Sequence, residues 1–207
     1  MSSSPHFLAI AVLLLLTPAC SLSDFSDELF IQLLTRQHNI VRSGMHNVAP
    51  LTLNSTISTR AQRWSDELNR LPRSGMCIFH SGQGGENIYY HWSTQTVSEQ
   101  WLAEKAVVAF YEEIKQYNYN LPGFKISTAH FTQMVWMATT QMGVGISRRR
   151  VKINHSGCGL KQRYDANLYF VVVQYEPHGN IIFQDNFKKN VTKPLRSVDE
   201  FLKKFTS

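Results

Sequence analysis

Residues 168–175 read LYFVVVQY, a run dense in β-branched and aromatic side chains. Such residues favour a pleated, packed strand, and Pro177 and Gly179 close the run downstream. A second strand-like run, MGVGISRRR, occupies residues 142–150. The polar stretch between the two, with Asn154, Gly157, Gly159 and Asp165, reads as a long hairpin-type connection. Upstream the period changes. Phe30, Leu33, Leu34, Ile40 and Val41 recur at three-to-four spacing, predicting a helix from Asp27 to about Ser43 with Gly44 as its stop. Pro50 to Leu53 turns the chain, and Ile57, Ala61, Trp64 and Leu68 share one face of a second helix ended by Leu71-Pro72. A Ser- and Gly-rich loop over 73–85, a short strand over 86–90, a helical stretch from Val97 to Tyr117 and a loop over 118–129 complete the middle of the chain. Past Lys188 the chain is a basic tail in which Val198, Phe201, Leu202 and Phe205 suit one short amphipathic helix. Helices before and between strands that finish in an antiparallel pair predict an α+β layered domain.

With 207 residues, 43% hydrophobic and 12% aromatic, the chain is long enough for one domain with a sizeable core. No internal repeat is visible. A formal net charge of +6 favours acidic surfaces such as anionic lipid headgroups and glycans. The compartment argues against nucleic acid. Phe7 to Leu16 is an apolar run too short to span a bilayer and suited to the core of a signal peptide, although no Lys or Arg precedes it. Small residues at Ala19 and Ser21 place the cut after Ser21, so residues 1–21 are expected to be a leader and the protein to be secreted. No second apolar stretch is long enough for a transmembrane anchor.

Cleavage there removes Cys20 and leaves Cys77 and Cys158. In an oxidising compartment one disulfide between them is the natural expectation, with two buried free thiols as the alternative. Sequons at Asn54, Asn154 and Asn190 become candidate glycosylation sites on the secretory path.

Generic catalytic signatures are missing: there is no GxSxG elbow, no HExxH, no phosphate-binding glycine loop and no CxxC. What remains is isolated titratable groups in apolar company. His130 opens HFTQMVW at 130–136, Glu86 lies between Gly85 and Asn87-Ile88-Tyr89, Glu113 lies late in the long helix, and His80 sits in the loop beside Cys77. Taken singly, each is more often structural than functional. Spacing alone does not bring them together.

HFTQMVW, together with VVVQYEPHGN at 171–180, resembles the two signature motifs of the CAP superfamily of cysteine-rich secretory, antigen-five and plant pathogenesis-related proteins. RQHNIVRSG (36–44), APLTLN (49–54), AQRWSDEL (61–68) and GENIYY (85–90) follow the family order. YEEIKQYNYNLPGF (111–124) and QMGVG (141–145) look most like the Golgi-associated plant pathogenesis-related branch. The resemblance spans roughly residues 27–190, leaving 191–207 as the basic C-terminal tail. It implies a three-layer α-β-α sandwich with a central antiparallel sheet and a cleft lined by His80, Glu86, Glu113 and His130. The chain departs from the pattern at Ala129, where the family usually has glycine, and at Val173, where a cysteine is common. Only three residues separate His80-Ser81 from Gly85.

Two imidazoles and two carboxylates are competent ligands for zinc or another divalent cation, with His80 and His130 foremost and Glu86 and Glu113 as further candidates. The same groups could form an acid-base pair. No nucleophile is identifiable, since nothing marks Ser81 or Ser127 as activated. Resemblance to family members that bind sterols, fatty acids or anionic lipids points instead to a non-enzymatic binding module for a hydrophobic ligand or a protein partner. A metal-dependent or acid-base hydrolase (protease or esterase) using the same cleft is the alternative. A recognition ligand carrying a relic cleft is the third reading.

Overall fold

The computed structural model describes residues 24–70, 78–152, 155–157, 160–162 and 165–205, with no side chains described over 152–164. The expected leader, Cys77, Cys158 and Asn154 lie outside the described residues. The first helix, α1, runs Asp27–His46. Its N-cap is Ser26, whose hydroxyl accepts the Leu29 N–H, and Asp27 and Glu28 complement the positive end of the helix dipole. It passes Gly44 and ends at Asn47, which adopts the left-handed conformation at φ 52°. A glycine costs a helix only about 1 kcal/mol, so tertiary packing carries α1 through it.

The remaining elements follow in order: β1 (Thr52–Leu53), α2 (Ser55–Arg70), β2 (Gly85–Ser93), α3 (Glu99–Tyr111), α4 (Ala129–Met134), β3 (Gln141–Lys152), β4 (His155–Gly157), β5 (Leu160–Gln162), β6 (Asp165–Glu176), α5 (Asn186–Asn190) and α6 (Val198–Lys203). The four-stranded sheet has the order β1-β3-β6-β2. β3 and β2 each pair antiparallel with β6, while β1 pairs parallel with β3. The sheet is therefore mixed, not wholly antiparallel as the resemblance implied. The cause is the short return of the chain through Pro50 into α2, which lays Thr52 and Leu53 beside Gln141 and Met142 in the same direction.

LYFVVVQY forms most of β6, a central strand buried on both faces. Tyr169, Val171, Val173 and Tyr175 face the layer of α1 and α3, joined there by Phe30, Leu34, Val41, Leu102, Ala106 and Phe110. Leu168, Phe170 and Val172 face α2 through Ala61 and Leu68, with Ile88 of β2 beside them. Three layers result, α1/α3, sheet and α2.

β3 alternates by size. Met142, Val144 and Ile146 enter the α1/α3 core, whereas Gly143, Gly145 and Ser147 lie under α2. A methyl group at Gly143 or Gly145 would run into the α2 backbone at Ile57-Ser58 or Ala61-Gln62. That close approach lets α2 side chains cover the edge of β3 that β1 leaves open. Gln62 exchanges two bonds with the Ile146 backbone at 2.8 and 2.9 Å, and Ser58 accepts the Val144 N–H. Covering an edge in this way prevents unwanted strand pairing.

The stretch expected to be helical to Tyr117 tightens after α3 into a 3-10 turn over Glu112–Gln116. Beyond Asn190, described residues pack on the main core: Phe201 and Leu202 of α6 are buried, and Phe201 meets Tyr111 edge-on at 5.5 Å.

Candidate functional site

His130 is the second residue of α4, a helix of six residues with no side-chain cap from Thr128. The carboxylate of Glu113 supplies one instead. Its Oε2 accepts the backbone N–H groups of His130 at 2.9 Å and Phe131 at 3.1 Å, and its Oε1 accepts from His130 Nδ1–H at 2.7 Å. Anionic groups are favoured at free helix N–H groups, so the contact that caps α4 also orients the imidazole. The ring lies stacked on Phe110 at 5.2 Å, three residues before Glu113 on the same stretch of chain. His130 keeps about a third of its side chain in solvent.

His80 is held in a matching way by Glu86. Oε1 of Glu86 accepts from His80 Nδ1 and from the Ser81 N–H, both at 2.9 Å. Oε2 accepts from the Ser81 hydroxyl at 2.6 Å and from Gln174 Nε2 at 2.9 Å. The carboxylate is 3% exposed and the imidazole 59%, so the orienting group is inside and the oriented one faces water. Burial pushes the Glu86 carboxyl up, but the bonds from His80, Ser81 and Gln174 outweigh it and hold the carboxyl below its usual range. The bond to Glu86 raises the basicity of His80 above its ordinary value, against burial.

Strand alternation separates these pairs. Glu86 faces α2 with its cross-strand partner Gln174, while Asn87 faces the other layer, where its amide donates to the His130 carbonyl at 3.0 Å and to the Tyr175 hydroxyl at 3.2 Å. β2 is an edge strand, and the His80–Glu86 and His130–Glu113 pairs lie on its two faces. Among the described residues no three His, Cys, Asp or Glu side chains gather as a metal-holding group. The four residues stand as two His–Glu pairs.

The residues that hold this arrangement were not singled out from the sequence. Gln133, 2% exposed, accepts the Gly179 N–H at 2.8 Å and lies so close to Gly85 that a methyl group there would strike its carboxamide. It joins HFTQMVW, GENIYY and VVVQYEPHGN at one point. Arg42 is fully buried and donates to the carbonyls of Ala49, Met134, Trp136 and Thr139, fixing the turn from α4 into β3; burial lowers its pKa to about 10. His38 donates Nδ1–H to the Leu34 carbonyl and accepts the Tyr175 hydroxyl at Nε2, each at 2.9 Å, extending the Asn87 network into α1. Polar residues inside apolar runs, such as Gln133 and Gln174, were the available signal.

A family model described as the cysteine-rich secretory protein (CAP) family matches residues 35–175. The chain belongs to this family. This CAP chain is 34% identical over 166 residues to human Golgi-associated plant pathogenesis-related protein 1, covering 78% of this chain and 91% of that protein. It is 30% identical over 165 residues to Protein PRY2 of Saccharomyces cerevisiae, covering 79% of this chain and 41% of the yeast protein. In fold it is similar to BmVAL-1, with a TM-score of 0.54 and 22% identity over 77% of this chain and 82% of that one. The hookworm platelet inhibitor gives a TM-score of 0.52 and 15% identity over 82% and 80% of the two chains. No helix among the described residues of the CAP chain is long and apolar enough to cross a membrane.

Both described sequons lie in structural bonds. Asn54 caps α2 by accepting the Thr56 and Ile57 N–H groups and donates Nδ2 to Gln141. Asn190 accepts the Ala138 N–H and donates Nδ2 to the Asn186 carbonyl. The nitrogen that would carry a glycan is a donor within the fold in each case.

Proposed function

We propose that this CAP protein is a secreted, non-enzymatic binding module whose two carboxylate-oriented imidazoles, His80 and His130, hold a divalent cation such as zinc. The observation that carries the reading is that both Nδ1 atoms are engaged by glutamates, which leaves both Nε2 atoms as free acceptors. A ligating histidine characteristically gives its other ring nitrogen to a carboxylate, which fixes tautomer and direction. Imidazole nitrogen suits zinc, and the cation would supply Lewis acidity and open positions for a ligand or water. The cation would be held by the Nε2 atoms of His80 and His130, with Glu86 and Glu113 orienting the two rings. The non-catalytic reading is supported by Ser81. Its hydroxyl donates to Glu86, and the ring nitrogen of His80 that could activate it is already bonded to the same carboxylate.

Zinc titration by calorimetry into wild type and the His80→Ala, His130→Ala double variant tests this. Binding by wild type and its loss in the double variant is expected. Equal affinities, or none in wild type, sinks the metal reading.

A lipid or other hydrophobic ligand is the second component, favoured by apolar side chains exposed around α4. Ile126 is 84% exposed just before α4. Ile182 and Phe183 are 75% and 65% exposed just after Asn180, whose side chain bonds Ala129 and Thr132 of that helix. With a formal net charge of +6, these residues suit a hydrophobic ligand presented at an anionic surface. Association with anionic and sterol-containing vesicles at low and physiological salt is expected; its absence in both refutes this component.

A further inference from the structure

Gln174 lies fully buried in β6 between two charged side chains, Arg60 of α2 and Glu86 of β2. Its carboxamide has two orientations that differ only in which end carries the donors. Arg60 Nε donates to Gln174 Oε1 at 2.6 Å, and this leaves the amide NH2 facing Glu86 Oε2 at 2.9 Å and the Ser81 hydroxyl at 3.3 Å. Flipping the amide would set NH2 against a guanidinium N–H and a carbonyl oxygen against a buried carboxylate. Both contacts are repulsive, because a guanidinium is donor-only and a carboxylate acceptor-only, so Arg60 and Glu86 fix the orientation from its two ends. Arg60 is itself anchored from outside by Glu176 at 2.8 Å, the two side chains lining an open groove of about 530 Å³ beside Gln83 and Gly84. The chain of contacts is unbroken from Glu176 through Arg60, Gln174 and Glu86 to the His80 ring.

We infer that Arg60 is a positioning residue for His80, acting through the Gln174 carboxamide and the Glu86 carboxylate. Arg60 does not touch the imidazole. It holds Gln174 with its donors toward Oε2 of Glu86, and Glu86 then presents Oε1 to His80 Nδ1. The neutral amide matters: it passes on a donor where a carboxylate at the same place would repel Glu86. The Nε2 atom of His80 is directed outward because Nδ1 is claimed from within. This inference rests on the reading of His80 as a site residue, but its first measurement needs no metal.

The experiment is nitrogen-15 NMR of the His80 ring at one alkaline pH, where the imidazole is neutral, in wild type, Arg60→Met, Gln174→Leu and the double variant. Wild type is expected to show the Nδ1–H tautomer. Arg60→Met should shift His80 toward the Nε2–H tautomer, and should shift it no further in the Gln174→Leu background. Zinc affinity should fall about tenfold in Arg60→Met, the scale of an outer-sphere partner of a ligand. Glu176→Gln, which loosens the guanidinium from the solvent side, should move the tautomer in the same direction by less, and it keeps the question open to refutation if Arg60→Met does not fold. An unchanged tautomer in both Arg60→Met and Glu176→Gln overturns the inference. So does an Arg60→Met shift of equal size with and without Gln174, because the guanidinium would then act through space. If wild type binds no zinc while the tautomer shift stands, the metal reading fails and the positioning role survives.

Discussion

Replacing Glu113 by Gln changes one charge and almost no volume, and the geometry around it forces a definite result. Three donors converge on the carboxylate: His130 Nδ1 at 2.7 Å and the His130 and Phe131 N–H groups at 2.9 and 3.1 Å. A glutamine offers one oxygen and one NH2. If the oxygen faces His130 Nδ1, the NH2 abuts two backbone donors that cannot change. If the oxygen faces the backbone, the NH2 abuts Nδ1, which can give up its proton to Nε2. The second arrangement satisfies every group, so the His130 ring is expected to switch tautomer. Bonds to a charged acceptor contribute about 1.5–3 kcal/mol and neutral ones about 0.5–1.5 kcal/mol, so the variant loses roughly 1 kcal/mol per bond. A loss of about 2–3 kcal/mol in a urea melt follows, a sizeable part of a typical stability of about 5–15 kcal/mol. The functional consequence is larger than the stability one. With its proton on Nε2, His130 no longer presents a lone pair outward, and zinc affinity should fall by about 10- to 100-fold. Calorimetric zinc titration and imidazole nitrogen shifts at alkaline pH measure both effects. The neighbouring Glu112→Gln, which touches only the exposed Lys115, is the control and should leave both unchanged. Unaltered zinc affinity with the tautomer switched refutes His130 as a ligand, and an unaltered tautomer refutes the donor count.

Arg42→Met should cost on the order of 3–5 kcal/mol in a chemical melt, because buried carbonyls at Met134, Trp136 and Thr139 lose their donor at about 1–3 kcal/mol each, offset by no longer burying a charge. Gly85→Ala drives a methyl group into the Gln133 carboxamide, and should break the Gln133–Gly179 bond and lower stability by about 1–3 kcal/mol, read as a drop in urea midpoint. Stability should fall between about pH 6.5 and pH 4. Burial lowers both His38 and His46 to about 4, so the unfolded chain takes up protons that the native state refuses. The contribution is complete above pH 6.5 and is lost as pH falls through that window, by on the order of 3 kcal/mol for each histidine at its foot. Urea midpoints at pH 7 and pH 5 that coincide would contradict it.

The elements were legible where one period persisted. LYFVVVQY becomes a central strand because every residue in it has a packed layer to enter, and α1 was visible in its three-to-four spacing. Its end was misplaced because Gly44 lies in open space, where nothing demands that the helix stop. The alternation of Gly143, Gly145 and Ser147 with Met142, Val144 and Ile146 carried more than a strand assignment. It marks the face on which a helix lies directly on the backbone, but small residues alone do not say which helix. The parallel β1 was not legible, since two residues hold no period. Of the site, His80, Glu86, Glu113 and His130 stood out singly as titratable groups in apolar company, the resemblance gathered them into one cleft, and their division into two pairs came from structure. Gln174, Asn87 and Arg60 escaped because their roles depend on which strand faces which helix.

That division bears on what the protein can do. Each glutamate is more buried than the histidine it holds, so the carboxylate sits inside and aims the imidazole outward. A hydrolase would need the reverse at one point: a hydroxyl or water placed against a free base, with a proton able to move between them. Here the Ser81 hydroxyl, next to His80 in the chain, donates its hydrogen bond to Glu86, and Glu86 has both oxygens filled by four bonds. A carboxylate so saturated is a poor base and a good support. The Nε2 atoms are the unfilled positions, and two imidazoles leave any shared cation with room for more ligands. Such a site would be completed by what it binds. A cation held by two imidazoles alone should bind weakly, and tighten when a ligand with its own oxygen or nitrogen donors arrives, which makes the ligand and the cation mutually dependent by linkage. Zinc titration repeated with a soluble carboxylate such as acetate should show that tightening, and equal affinity with and without it would mean that the cation is already fully coordinated by the protein.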